Sequence, residues 1–231
     1  VVLFLPAGLP GRMKADDAWG GWRSTDARVN RLSLARLFLF GARDVWFVVG
    51  VPVYFQMVLS DGTPEGRRAA FFLIGGFLAL WIIAYGAVQA MAPRILGAKG
   101  QPEGMVVRSA IRWAGFLVPI PFALAAAAWL AGTPGPGLTA ALVIGLLAFG
   151  FVFAINSSVH SYLILAFGNA SRITRAVGFY YMANAAGRLA GTLLSGLSYQ
   201  IGGLPLCLAT AGLMAGASWL SVRRLGPSPA A

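Results

Sequence analysis

The chain has 231 residues, of which 58% are apolar and only 11% charged, whereas a soluble domain carries roughly 25% charged residues. That balance, with a mean hydropathy of +0.74, describes a protein that dissolves in lipid and excludes a soluble enzyme, a disordered tail and a disulfide scaffold. The net charge of +11 would suggest nucleic acid in a soluble protein. Here the basic residues fall in short runs between long apolar stretches, so no nucleic-acid partner is expected.

Residues 1–10 open on Val1-Val2-Leu3-Phe4-Leu5, too short to span and without the charged start or cleavage site of a signal peptide. They read as the remnant of a preceding transmembrane helix. Residues 11–31 are polar, glycine-rich and mixed in charge, and read as a cytoplasmic linker with Trp19 and Trp22 at the interface. Residues 32–224 then hold six apolar stretches, each near the 20 or so residues that cross a hydrocarbon core: Leu34–Leu59, Ala69–Ile95, Ala110–Ala131, Leu138–Phe167, Val177–Gln200 and Leu204–Val222. Residues 225–231 read as a cytoplasmic tail. Turn-forming clusters at Asp61–Pro64, Lys99–Pro102 and Gly132–Pro136 separate the spans.

The first span carries Arg36, Arg43 and Asp44, although a charge at a helix centre costs roughly 2.5–3.5 kcal/mol on insertion scales and normally faces a cavity or a partner. Arg36 and Arg43 are seven residues apart and share one face, where they repel unless an anion lies beside them. One reading is an anion site, since guanidinium forks match phosphate and carboxylate. The other has Arg36 snorkelling to the interface and Arg43–Asp44 as a structural pair. Asp44 lies about 100° round the helix from Arg43, which favours a partner on a neighbouring helix. Gly50-Val51-Pro52 in this span and Pro119-Ile120-Pro121 in the third should bend their helices.

The fourth span ends in Asn156-Ser157-Ser158-Val159-His160-Ser161-Tyr162, a polar run that reads as cavity lining, with Asn156 and His160 on one face. Gln56 and Gln89 are weaker candidates for the same lining. His160 is the one histidine, either a proton relay or a satisfied core residue. On the fifth span Tyr181, Asn184 and Arg188 form a polar stripe suited to a water-filled cavity. Arg188 is a substrate partner or a charge bracing a gate. Beside it, Gly187, Gly191 and Ser195 form a small-residue seam for close helix packing.

Thirteen Lys and Arg fall on one side of the six spans and only Arg67 and Arg68 on the other, which sets both ends of the bundle in the cytoplasm. The expected fold class is an all-α membrane protein: six transmembrane helices that match the C-terminal bundle of a major facilitator transporter, whose halves each hold 3+3 inverted repeats, although periodicity alone does not separate this from another six-span fold. A second, N-terminal six-helix half is the expected partner, together with the lipid bilayer. The single Cys207 and the scattered acidic residues supply no metal or cofactor site. Ser158 and His160 are too close on a helix to face each other as a nucleophile–base pair, so no enzyme is expected.

The segments Arg31–Gly50, Gly75–Gly86, Asn156–Tyr162 and Gly178–Thr192 together resemble the organoarsenical efflux permeases of the major facilitator superfamily. The specific part is Phe40-Gly41-Ala42-Arg43-Asp44-Val45-Trp46-Phe47-Val48-Val49-Gly50, and the likeness extends over roughly residues 28–205. The resemblance implies export of 1-arseno-3-phosphoglycerate, an ester made by glyceraldehyde-3-phosphate dehydrogenase when arsenate replaces phosphate. It also implies arsenate resistance in a bacterial inner membrane. Arg43 and Arg188 would suit such a multi-anion. The alternatives are a major facilitator exporter of another organic phosphate or drug, and a non-transporting membrane scaffold subunit.

Overall fold

The computed structural model describes residues 24, 26–97, 101–167 and 173–225. The expected helix remnant, most of the linker with Trp19 and Trp22, and the tail beyond residue 225 lie outside them. Asp26 starts the first helix, α1 (Ala27–Val45), by accepting a hydrogen bond from the Arg28 amide at 2.8 Å. The start is thus seven residues ahead of the apolar stretch, because a capped polar first turn leaves no trace in hydropathy. A π-helical turn (Trp46–Gly50) joins α1 to α2 (Val51–Leu59).

A tight turn leads to α3 (Pro64–Ile95). Gly62 takes φ 86°, a left-handed conformation that suits glycine, and Thr63 caps the helix by accepting from the Gly66 amide. The Asp61 carboxylate accepts from the Thr63 hydroxyl and amide, which holds its pKa below the usual value. Next come α4 (Glu103–Leu117) and α5 (Pro119–Ala131), which divide where Pro119 removes a backbone donor. The expected bends at Pro52 and Pro119 therefore coincide with a π turn and a helix boundary. The last elements are α6 (Pro136–Phe167) and α7 (Ile173–Arg223).

Among the described residues the protein is all helix and connecting turns. Five helical stretches are long and apolar enough to cross a membrane: Ala27–Leu59, Pro64–Ile95, Glu103–Ala131, Pro136–Phe167 and Ile173–Arg223. The sixth expected stretch is the second limb of α7, whose 51 residues are interrupted at Gly202 (φ −146°) and Gly203 (φ 61°). The limbs flank α1 in opposite directions. Along the first, Gly187 meets Leu37, Gly191 meets Gly41 and Ser195 meets Val49. Along the second, Cys207 meets Val45, Met214 meets Gly41 and Ser218 meets Ala35.

The core is aromatic. Trp46 packs edge-on against Trp81 and Phe149 at ring separations of 5.3 and 5.5 Å, and the Trp81 indole N–H donates to the Leu146 carbonyl at 2.8 Å. These contacts lock the π turn, α3 and α6 together. The outside is apolar as well: Phe71, Phe72, Leu80 and Ile83 on α3 and Leu189, Leu193 and Ile201 on α7 are more than half exposed. An apolar exterior of that extent belongs in lipid, and the chain is a multi-pass membrane protein.

Candidate functional site

The π turn follows α1 directly after Arg43, Asp44 and Val45, and places Phe47 and Val48 on the same wall as the two charged residues. Such turns loosen the helical ladder and are frequent at functional sites. The Val49 amide donates to the Ser195 hydroxyl of α7 at 3.1 Å, so the neighbouring helix supplies an acceptor within this segment. Beside the turn lies a cavity of about 510 Å³, within the range of small-molecule sites. Its wall is built by Arg43, Asp44, Phe47 and Val48, by Trp81, Ile82 and Tyr85 of α3, and by Ala185, Arg188, Leu189 and Thr192 of α7. At about 1.5 Å per residue, Arg43 lies about 24 Å along its helix from Ala27, and Arg188 about 23 Å from Ile173. The first depth is near the middle of Ala27–Leu59, and the second near the middle of the α7 limb that ends at Gly202.

Three of the expected site residues meet here. Arg43 donates from Nε and Nη2 to Asp44 Oδ1, both at 2.6 Å, and Arg188 donates from Nε to Asp44 Oδ2 at 3.1 Å. The aspartate therefore bridges two helices, and its side chain is only 4% exposed. The expectation that Asp44 would pair across helices rather than with Arg43 is corrected in part, because it does both. The long arginine stem folds back over the turn, and in a low-dielectric interior the nearest carboxylate wins. Arg43 also lies 5.0 Å from the Phe40 ring centroid and 5.5 Å from that of Phe153.

The other expected residues are elsewhere. Arg36 neither snorkels nor shares the cavity. It donates from Nη1 to the Ser157 carbonyl and hydroxyl at 3.1 and 2.9 Å, and packs on Phe40 and Tyr180 at 4.1 and 4.8 Å. Asn156 and His160 are fully buried inside the bundle rather than lining the cavity. The Asn156 amide donates to the Val152 carbonyl, while its oxygen and both His160 ring nitrogens have no partner among the described residues. Gln89 joins this inner cluster through Ser157 Oγ at 3.1 Å. Gln56 reaches the Arg67 carbonyl at the far end of its span. Tyr181 is exposed, and Asn184 lies one turn from Arg188 but not on the cavity wall.

Sequence reading overlooked the aromatic wall of Phe47, Trp81 and Tyr85. The Trp81–Tyr85 spacing of four on a helix was the available signal, and it is hard to separate from ordinary core spacing. Among the described residues no group of His, Cys, Asp and Glu is placed to hold a metal ion. Chemically, the wall offers one accessible guanidinium, one buried ion pair and three ring faces. No family model, no curated protein and no solved structure matches the chain.

Proposed function

We propose that this chain forms a six-crossing bundle of a secondary transporter of the major facilitator type, and that its cavity carries a small organic anion outward across a bacterial inner membrane. The observation that carries the reading is Arg188, whose side chain is 59% exposed at mid-span beside a cavity. A guanidinium at that depth has no place against hydrocarbon, so it faces water, a substrate or a covering second bundle. An N-terminal six-helix half fits that covering role.

Six crossings follow if the chain reverses at Gly202–Gly203. The helix pairings support this, because they repeat when the first three crossings are exchanged with the last three. Gly191 against Gly41 has its counterpart in Gly150 against Trp81, and Met214 against Gly41 in Leu124 against Gly145. The contacts Phe40–Phe153 and Gly212–Phe122 lie on the exchange axis itself. Such internal repeats are how these carriers are built. With the basic side in the cytoplasm, an inside-negative potential favours anion efflux by about 2.3 kcal/mol per charge per 100 mV.

The resemblance supplies a specific candidate, 1-arseno-3-phosphoglycerate. The test is arsenic retained by arsenate-challenged cells expressing the full-length protein, with and without glyceraldehyde-3-phosphate dehydrogenase. Retention that falls only with the dehydrogenase is the expected result. An equal fall in both strains would assign inorganic arsenic instead, and no fall in either would remove arsenic from the proposal.

A further inference from the structure

The cavity wall holds three charged side chains, and they sum to a single positive charge because Asp44 lies between two arginines. The two arginines are not equivalent. Arg43 spends two donors on Asp44 at 2.6 Å and its side chain is 10% exposed. Arg188 spends one donor at 3.1 Å, is largely exposed, and has no other hydrogen-bond partner among the described residues. A guanidinium carries five N–H donors in a fork that fits carboxylate and phosphate oxygens, so most of the Arg188 fork is free to meet a ligand. Around it stand Phe47, Trp81, Tyr85 and Leu189.

We propose that Asp44 is a tethered anion that occupies the site while it is empty, and that Arg188 captures an incoming anionic group by exchanging Asp44 for it. Arg43 keeps Asp44 compensated throughout, so the exchange never strands a bare carboxylate in the interior. The ligand end that this wall takes is one anionic group on an apolar or aromatic body, since the second cation, Arg43, is already committed to Asp44 by two donors and the rest of the wall is rings and Leu189. An ester with two charged ends would place one end here and the other beyond this wall. The exchange also gives a carrier what it needs, binding strong enough to load and weak enough to release.

This inference rests on the anion-carrier reading above and specifies its recognition step. The test titrates benzoate, with benzamide as its uncharged counterpart, into the full-length protein in detergent by calorimetry. Wild type should bind benzoate and not benzamide. Asp44→Asn, close in shape, should tighten benzoate at least tenfold because the competing carboxylate is gone, and should slow transport through slow release. Arg188→Gln should lose benzoate binding while its melting temperature stays near wild type.

Unchanged or weaker benzoate binding in Asp44→Asn would overturn the exchange and leave the anion site standing. Benzoate binding to Arg188→Gln at wild-type affinity would overturn the capture role, and that arm decides alone if Asp44→Asn does not fold. Wild type that ignores benzoate, or binds benzamide equally well, would overturn this inference, while the anion-carrier reading stands or falls on the arsenic-retention test above.

Discussion

Arg43 and Arg36 show how two like charges on one helix face are kept in a membrane interior by different means. Arg43 is neutralised by a carboxylate one residue away. Arg36 has no carboxylate partner among the described residues and relies on Ser157 and two ring faces. For Arg43 this predicts a non-additive mutant pair. Arg43→Ala leaves Asp44 buried with only the longer Arg188 contact and should cost about 3 kcal/mol, the lower end for breaking a buried pair. Arg43→Ala/Asp44→Ala should be more stable than the single variant, because it removes the stranded charge. Thermal unfolding in detergent reads both, and a double variant less stable than the single one would show that Arg188 alone compensates Asp44, so that no stranded charge is left. The charged residues themselves were legible, since polarity stands out in an apolar stretch. Their partners were not, because 100° steps around a helix describe Cβ directions while a long arginine stem chooses among several acceptors.

Among the helices, the contact between α1 and the first limb of α7 fixes the cavity, since it carries Arg188 to Asp44. That approach depends on glycine. A Cβ at Gly191 would lie 2.7 Å from the Gly41 carbonyl oxygen and 2.9 Å from the Gly41 Cα, which are backbone atoms that cannot turn aside. Gly191→Ala should therefore cost about 1–3 kcal/mol and lengthen the Arg188–Asp44 contact. Gly196, five residues further on and on another face of the helix, has nothing within 4 Å of a built Cβ, and Gly196→Ala should be neutral or gain roughly 0.5–1 kcal/mol from the backbone. Melting temperatures of the two variants check this, and similar values would mean that the seam tolerates a methyl group. The seam was legible because Gly187, Gly191 and Ser195 recur every four residues, and the two glycines do face α1 and Ser195 the π turn that continues it. The π turn was legible only as a bend near Pro52. Which carbonyl loses its ordinary partner depends on Ser195 arriving from α7, and nothing local in the sequence encodes that.

For the whole molecule, the decisive question is the parity of crossings, because it sets which side each end occupies and hence which way the cavity can open. A continuous 51-residue helix would run about 76 Å, more than twice the hydrocarbon thickness of about 30 Å, so the break at Gly202–Gly203 must be accommodated somewhere. The opposite directions of the two limbs along α1 make a reversal the natural accommodation, and the lack of Lys and Arg between residues 189 and 222 agrees with a short turn on the less basic side. Cysteine labelling tests it, with the one native thiol, Cys207, fully buried. Ser60→Cys, Thr133→Cys and Gln200→Cys should react with a membrane-impermeant maleimide in intact cells. Gln101→Cys and Arg224→Cys should react only after permeabilisation. Arg224→Cys labelled from outside would mean an odd number of crossings, which would break the repeat of helix pairings and leave Arg223 and Arg224 on the side the charge distribution disfavours. Arg224→Cys protected together with Gln101→Cys would set both ends of the bundle on one side, and the Arg188 wall would then lie midway between the two membrane faces, where access from either side can alternate.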